Sequence, residues 1–185
     1  MDSTLSTLKN QIDRKLNGIH SHEPIQYNHQ LAHVLDAQDI LPDAKLACLA
    51  IDTSMSHLDS ITSSHLSKNA ILIGDLISAH FYTLTASIND SEYLEAMSNA
   101  IIKVNELKTA LHYKTLSHDA IKDAVRYIET IFPAITIQHF NPNVELSNAK
   151  DSLIQYASEN YPAYLKDYSE TELEAIFNEL RSNIK

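Results

Sequence analysis

The sequence predicts an all-α protein, a helical bundle in one domain over residues 1–185, on three observations. Only two glycines and five prolines punctuate the 185 residues, too few for the tight turns that an all-β chain of this size needs. Apolar residues recur at spacings of three and four along most of the chain, the period of a helix face. Residues that cap helices precede several of those stripes. With 44% hydrophobic and 21% charged residues, the chain can bury a core of ordinary size.

Leu5, Leu8, Ile12 and Leu16 form the first stripe, a helix over about residues 3–17 that Gly18 is placed to end. Leu31, Val34 and Leu35 mark a shorter helix within Ser21–Ala37. From Asp43, the residues Ala44, Ala47, Cys48, Ile51, Met55 and Leu58 share one face, and Leu46, Leu49 and Thr53 widen it, so this helix is expected to be buried on two sides. Leu66, Ala70, Ile73, Ile77, Phe81, Leu84 and Ile88, flanked by Leu72, Leu76 and Ala79, predict the most buried helix of all.

Asn89-Asp90-Ser91 is a turn signal, with Glu92 placed to close a capping box on Asn89. Leu94, Met97, Ile101, Val104 and Leu111 follow, accompanied by Ala96, Ala100, Leu107 and Ala110. Ser117 is a good N-cap for a helix carrying Ile121, Val125, Ile128 and Phe132, which Pro133 should kink or break. After the turn Asn141-Pro142-Asn143 comes a helix over about 146–159, then a tyrosine-rich connector around Pro162. The capping box Ser169-Glu170-Thr171-Glu172 opens a last helix with Leu173, Ile176, Phe177, Leu180 and Ile184. Seven or eight helices are expected in all.

A net charge of −10 argues against a nucleic-acid partner, because phosphate binding needs clustered lysine and arginine. It argues against an anionic membrane surface as well. Met1 to Lys15 lacks the apolar stretch of a signal peptide. The apolar run Ala70–Gly74 stops at Asp75, so no integral membrane segment is expected. The lone Cys48 agrees with a reducing, cytoplasmic setting.

Three segments carry a family resemblance: Cys48-Leu49-Ala50-Ile51-Asp52-Thr53 through His57-Leu58-Asp59, then Leu72-Ile73-Gly74-Asp75-Leu76-Ile77-Ser78, then Val104-Asn105-Glu106-Leu107-Lys108. In order and spacing they resemble three successive helices of the trans-prenyl diphosphate synthases, and among these most of all the small subunit, or component 1, of bacterial heterodimeric heptaprenyl diphosphate synthase. The resemblance covers roughly residues 30–130 and implies a truncated isoprenoid-synthase fold. It further implies a cytoplasmic heterodimer working in isoprenoid biosynthesis, where the long-chain product is the side-chain precursor of menaquinone. This chain would be the regulatory or structural subunit of that transferase complex and would help to set product chain length.

Catalytic members of the family need two facing aspartate-rich motifs whose magnesium cluster neutralises the departing diphosphate. None of the 24 acidic residues here stands beside another in sequence, so neither motif can be written. Where the first would fall, His57-Leu58-Asp59-Ser60-Ile61-Thr62 retains one carboxylate. The family's Gly-Gly-Lys segment is missing, since Gly18 and Gly74 stand alone, and the chain looks too short for the helices after the second motif. The resemblance therefore implies no catalytic residue, metal or cofactor in this chain. It places magnesium and both motifs in a catalytic prenyl diphosphate synthase partner.

The rival reading is a stand-alone helical metal-dependent phosphohydrolase built on His57, His118 and Asp119, with His65 and His80 as further ligands; the N-cap role of Ser117-His118-Asp119 explains two of these residues more simply. His29 and His33 share a helix face at zinc spacing, but Gln30 stands where a metalloprotease has its glutamate. A helical adaptor with no prenyl connection is the third reading. Asp75, on the helix predicted most buried, is expected to have a structural hydrogen-bond partner. Glu106 and Lys108, two apart, point to different faces, and Cys48 is expected in the core.

By the resemblance, two bundles meet through the helices at Leu66–Ile88 and Glu92–Tyr113. Expected contacts are Leu72, Leu76 and Ala79 on the first and Ala96, Ala100, Leu107 and Ala110 on the second. Met55, Ile73, Ile77 and Phe81 are the expected contributors to a product tunnel, whose wall must be apolar to keep a growing polyprenyl tail from water.

Overall fold

The computed structural model describes residues 3–17, 24–61 and 68–182. Within them lie eight α-helices in chain order: α1 (Thr4–Lys15), α2 (His29–Asp36), α3 (Pro42–Asp59), α4 (Lys68–Ile88), α5 (Ser91–His112), α6 (His118–Phe140), α7 (Ser147–Glu159) and α8 (Glu170–Ser182), with a 3-10 turn at Ala163–Leu165 between the last two. No strand occurs among the described residues. Gly18 as a helix stop, Ser21 as a helix start, and Leu66, His65, Thr62 and Ile184 lie outside them.

Capping explains most of the boundaries. Ser3 accepts from the Ser6 amide at the start of α1, and Asp36 Oδ1, at the far end of α2, accepts from the Thr4 amide at 3.1 Å. The second helix begins at His29, well after Ser21: residues 24–28 form no regular element, and Asn28 caps the helix by accepting from the Leu31 amide at 2.9 Å. Asp90, not Asn89, caps α5 by accepting from the Tyr93 amide. Asn89 instead takes a positive φ of 55°, which asparagine tolerates better than most residues. Ser117 caps α6 as expected. At α8 the box closes both ways: Glu172 Oε2 accepts from the Ser169 amide at 2.7 Å and Ser169 Oγ from the Glu172 amide at 3.3 Å.

The core centres on α3, which packs against α1, α2, α4 and α6. Eleven of its 18 residues are buried, against eight of 21 in α4, so α3 and not α4 is the most enclosed helix. Two wide stripes surround α3, whereas α4 buries only Ala70, Ile73, Gly74, Ile77, His80, Phe81, Leu84 and Thr85, mostly one side. Its other side exposes Ile71, Leu72, Asp75 and Tyr82. Asp75 is therefore a surface carboxylate, not the buried one that the sequence predicts.

Helices α3 and α4 approach closely at Gly74, where a Cβ would overlap the Leu58 side chain. Ser54 Oγ donates to the Gly74 carbonyl at 2.9 Å, and His57 Nε2 donates to the Ala70 carbonyl at 3.0 Å. Pro133 does not break α6. Proline removes the amide that would reach the Glu129 carbonyl, but α6 is held on several sides by α3, α5, α7 and α8, and that packing keeps it in one piece. By length and composition α4, 21 residues long, could cross a membrane: an 18-residue window within it has a mean hydropathy of 1.4. Asp75 interrupts the apolar run in sequence, but the helix continues through it to Ile88.

Candidate functional site

A cavity of about 770 Å³ opens between α3, α5, α6 and the 156–164 stretch. Asp52, Met55, Ser56 and Asp59 come from α3 at i, i+3, i+4 and i+7, so one helix face supplies its polar and apolar wall together. Val104 and Lys108, four apart, come from α5; Ile128, Glu129 and Phe132 come from α6; Tyr164 closes one end from the 3-10 turn.

The polar groups form a connected set. Lys108 Nζ donates to Asp59 Oδ2 at 2.5 Å and lies 5.2 Å from the centre of the Tyr164 ring, while the Tyr164 hydroxyl donates to Glu129 Oε1 at 2.7 Å. Asp52 opens partly onto the cavity, but its Oδ2 is sealed and has no hydrogen-bond partner. Burial first, then the negative charges of Glu129 and Asp59, push the Asp52 carboxyl up to about 7, against the pull of Lys108. Burial likewise pushes Glu129 up, opposed by the Tyr164 hydrogen bond and by Lys108.

The raised Asp52 value fixes the sign of a pH effect. Between its ordinary value and about 7 the folded chain holds this proton more tightly than the unfolded chain, so this group's contribution to stability falls as pH rises through that window and is flat above it. Asp52→Asn removes that loss. A shift from 3.8 to about 7 would be worth about 4 kcal/mol at most, and solvent reaching Asp52 through the cavity lowers it, so the variant should gain about 2 kcal/mol above neutrality and nothing below pH ~4. Urea midpoints across that range check it; parallel curves for the two proteins would refute it.

Magnesium chemistry does not fit these residues. Asp59, the one carboxylate where the first aspartate-rich motif would fall, is taken by Lys108. Among the described residues no group of three or more His, Cys, Asp or Glu could hold a metal ion. The phosphohydrolase triad is dispersed as well. His57 is buried and bound to a backbone carbonyl, His118 lies at the surface on Glu179 at 2.9 Å, and Asp119 pairs with Lys122. His80 bonds Gln11 Oε1 at 2.7 Å, and His29 and His33 are exposed.

The remaining expected residues separate by environment. Leu72 is 59% exposed, Ala79 is exposed, and Leu76, Ala96, Leu107 and Ala110 are half-buried. Ala100 is only 2% exposed. Of the four tunnel residues only Met55 lines the cavity; Ile73, Ile77 and Phe81 are fully buried core. Cys48 is core too. Glu106 is a surface partner of Lys103 at 3.2 Å, whereas Lys108, two residues on, turns into the cavity. Sequence reasoning passed over Asp52, Glu129 and Tyr164. A carboxylate seven residues before Asp59, on a face with Met55, was a signal for the first; nothing local marks Glu129 or Tyr164.

Residues 2–135 match the family described as hexaprenyl diphosphate synthase, small subunit. Among solved structures, the chain is similar to heptaprenyl diphosphate synthase from Staphylococcus aureus, with 44% identity and a TM-score of 0.90 over 98% of this chain and 99% of that one. No curated protein matches significantly.

Proposed function

The chain belongs to the family of hexaprenyl diphosphate synthase small subunits, and from that membership we propose that it is the non-catalytic component of a long-chain synthase, paired with a catalytic subunit that carries both aspartate-rich motifs and the magnesium. The observation that carries the pairing is the outer side of α4. Ile71, Leu72 and Tyr82 stand exposed there beside Ala79, and an uncovered apolar helix side of this kind marks an interaction site. Helix α5 adds Ile102, 58% exposed. The products named by the family and by the similar structure differ by one isoprene unit, so hexaprenyl and heptaprenyl products are both compatible with this membership.

Influence on product length would pass through the pairing surface. Ile73, Ile77 and Phe81 face the interior of this chain and do not line the cavity described, so the contribution to a tunnel would come from the α4 side laid against the partner. The product would serve as the isoprenoid side chain of a quinone such as menaquinone, in the cytoplasm. The test is turnover: the purified chain alone should not condense isopentenyl diphosphate with farnesyl diphosphate at any magnesium concentration, and adding the co-purifying partner should restore long-chain synthesis. Product from the pure chain, or a partner without aspartate-rich motifs, would overturn the reading.

A further inference from the structure

Over its first turns α4 is apolar on two neighbouring faces. Ile73 and Ile77 are fully buried there, while Leu72 and Leu76, each one residue earlier, are exposed and half-buried. Turning the helix by one residue, about 100°, would exchange one pair for the other at nearly the same apolar area, so burial alone does not choose between them. Further along the choice is clear, because the same exchange would put His80 and Thr83 where Phe81 and Leu84 lie.

The contacts from α3 fall on the ambiguous turns. Ser54, His57 and Leu58 share one face of α3 at i, i+3 and i+4. Ser54 Oγ donates to the Gly74 carbonyl at 2.9 Å and His57 Nε2 to the Ala70 carbonyl at 3.0 Å, and both donors are buried. Every turn of a helix carries carbonyls, so the donors alone select nothing. Gly74 does, because the Leu58 side chain occupies the place that a Cβ would take, and α3 reaches the backbone of α4 only through that gap. In the turned helix Ile73 would stand at the gap. Its side chain would overlap Leu58 and hold Ser54 and His57 off the backbone, leaving a buried hydroxyl and a buried imidazole N–H without acceptors.

We propose that Ser54, His57 and Gly74 are positioning residues for the pairing: they fix which face of the first turns of α4 goes inward, and so keep Leu72 on the outside. Buried polar contacts that select one arrangement among several apolar ones have this role elsewhere. The inference rests on the reading of the outer side of α4 as the pairing surface.

Thiol labelling of the full chain tests it, because the native Cys48 is buried and reports opening of the whole fold. Ile73→Cys adds a second thiol at a fully buried position. With Ser54, His57 and Gly74 in place it should react slowly with a disulfide reagent. In Ser54→Ala/His57→Met, and separately in Gly74→Ala, it should react at least about tenfold faster while Cys48 stays protected. Ser54→Thr/His57→Gln, which keeps both donors, should restore protection. Should the double deletion not fold, Ser54→Ala alone replaces it. Without the reporter, Ser54→Ala/His57→Met should pair with the catalytic subunit at least about tenfold more weakly at a temperature where the lone chain is folded. A thiol at Ile73→Cys that stays protected, that reacts only together with Cys48, or that the donor-keeping variant fails to protect would overturn the proposal. So would a donor-deleted chain that pairs as tightly as the unaltered one. Labelling needs no partner, and co-purification of the unaltered chain judges the pairing itself, so the two readings can fail separately.

Discussion

Leu72→Asp should abolish prenyl transfer by the two-chain complex while leaving the melting temperature of this chain unchanged. Leu72 is 59% exposed, so in the lone chain the new carboxylate stays in water and costs nothing. In the assembled complex the same carboxylate would be desolvated in an apolar contact without a partner, a penalty of about 3 kcal/mol or more, hence a loss of affinity of a hundredfold or more. Tyr82→Asp, at 48% exposure, should act the same way. Co-elution on a sizing column and turnover of the mixture are the measurements. A Leu72→Asp subunit that co-elutes at the wild-type level would show that this side of α4 faces something else. Ala100→Asp cannot serve this purpose, since at 2% exposure it would unfold the chain before it could test a contact.

Phe81→Ala should destabilise the chain by about 3–5 kcal/mol and leave the product ladder unchanged. The ring is fully buried and meets Tyr82 edge-on at 4.9 Å, so truncation leaves a cavity inside the packing of α4 on α3. For a chain of this size that corresponds to a fall in melting temperature of about 10 °C. A thermal melt and reversed-phase analysis of the prenyl products, run on the same complex below the variant's transition, separate stability from chain-length control. Longer products at unchanged stability would return Phe81 to the tunnel wall and refute its assignment to the core.

The elements themselves were readable from periodicity and capping, because both are local. Ser117, and Ser169 with Glu172, each act within four residues, and each stands where the sequence puts it. The ranking of burial was not local. A wide apolar stripe reports the need for cover and not its source, so α4 read as the innermost helix when part of its stripe faces outward. Asp75 was misplaced for the same reason. At the cavity, Asp59 and Lys108 could be named but not joined, since they are 49 residues apart in sequence and meet only through the packing of α3 near α5. Glu129 and Tyr164, 35 residues apart, were invisible on the same ground. Pro133 shows the converse: a strong local signal for a break is overruled by the neighbours of α6.

The uncovered side of α4 bears on how much of this chain a cell can keep. Copies without a partner meet one another at a rate that grows with the square of their concentration, and exposed Ile71, Leu72 and Tyr82 would make some of those meetings sticky. The net charge of −10 repels like copies and slows the loss. A catalytic chain bound over this side, as proposed, would both hide the surface and draw the folding equilibrium toward the native form by mass action. Surplus copies would thus be the ones cleared, and the number of working complexes would follow whichever chain is made in the smaller amount.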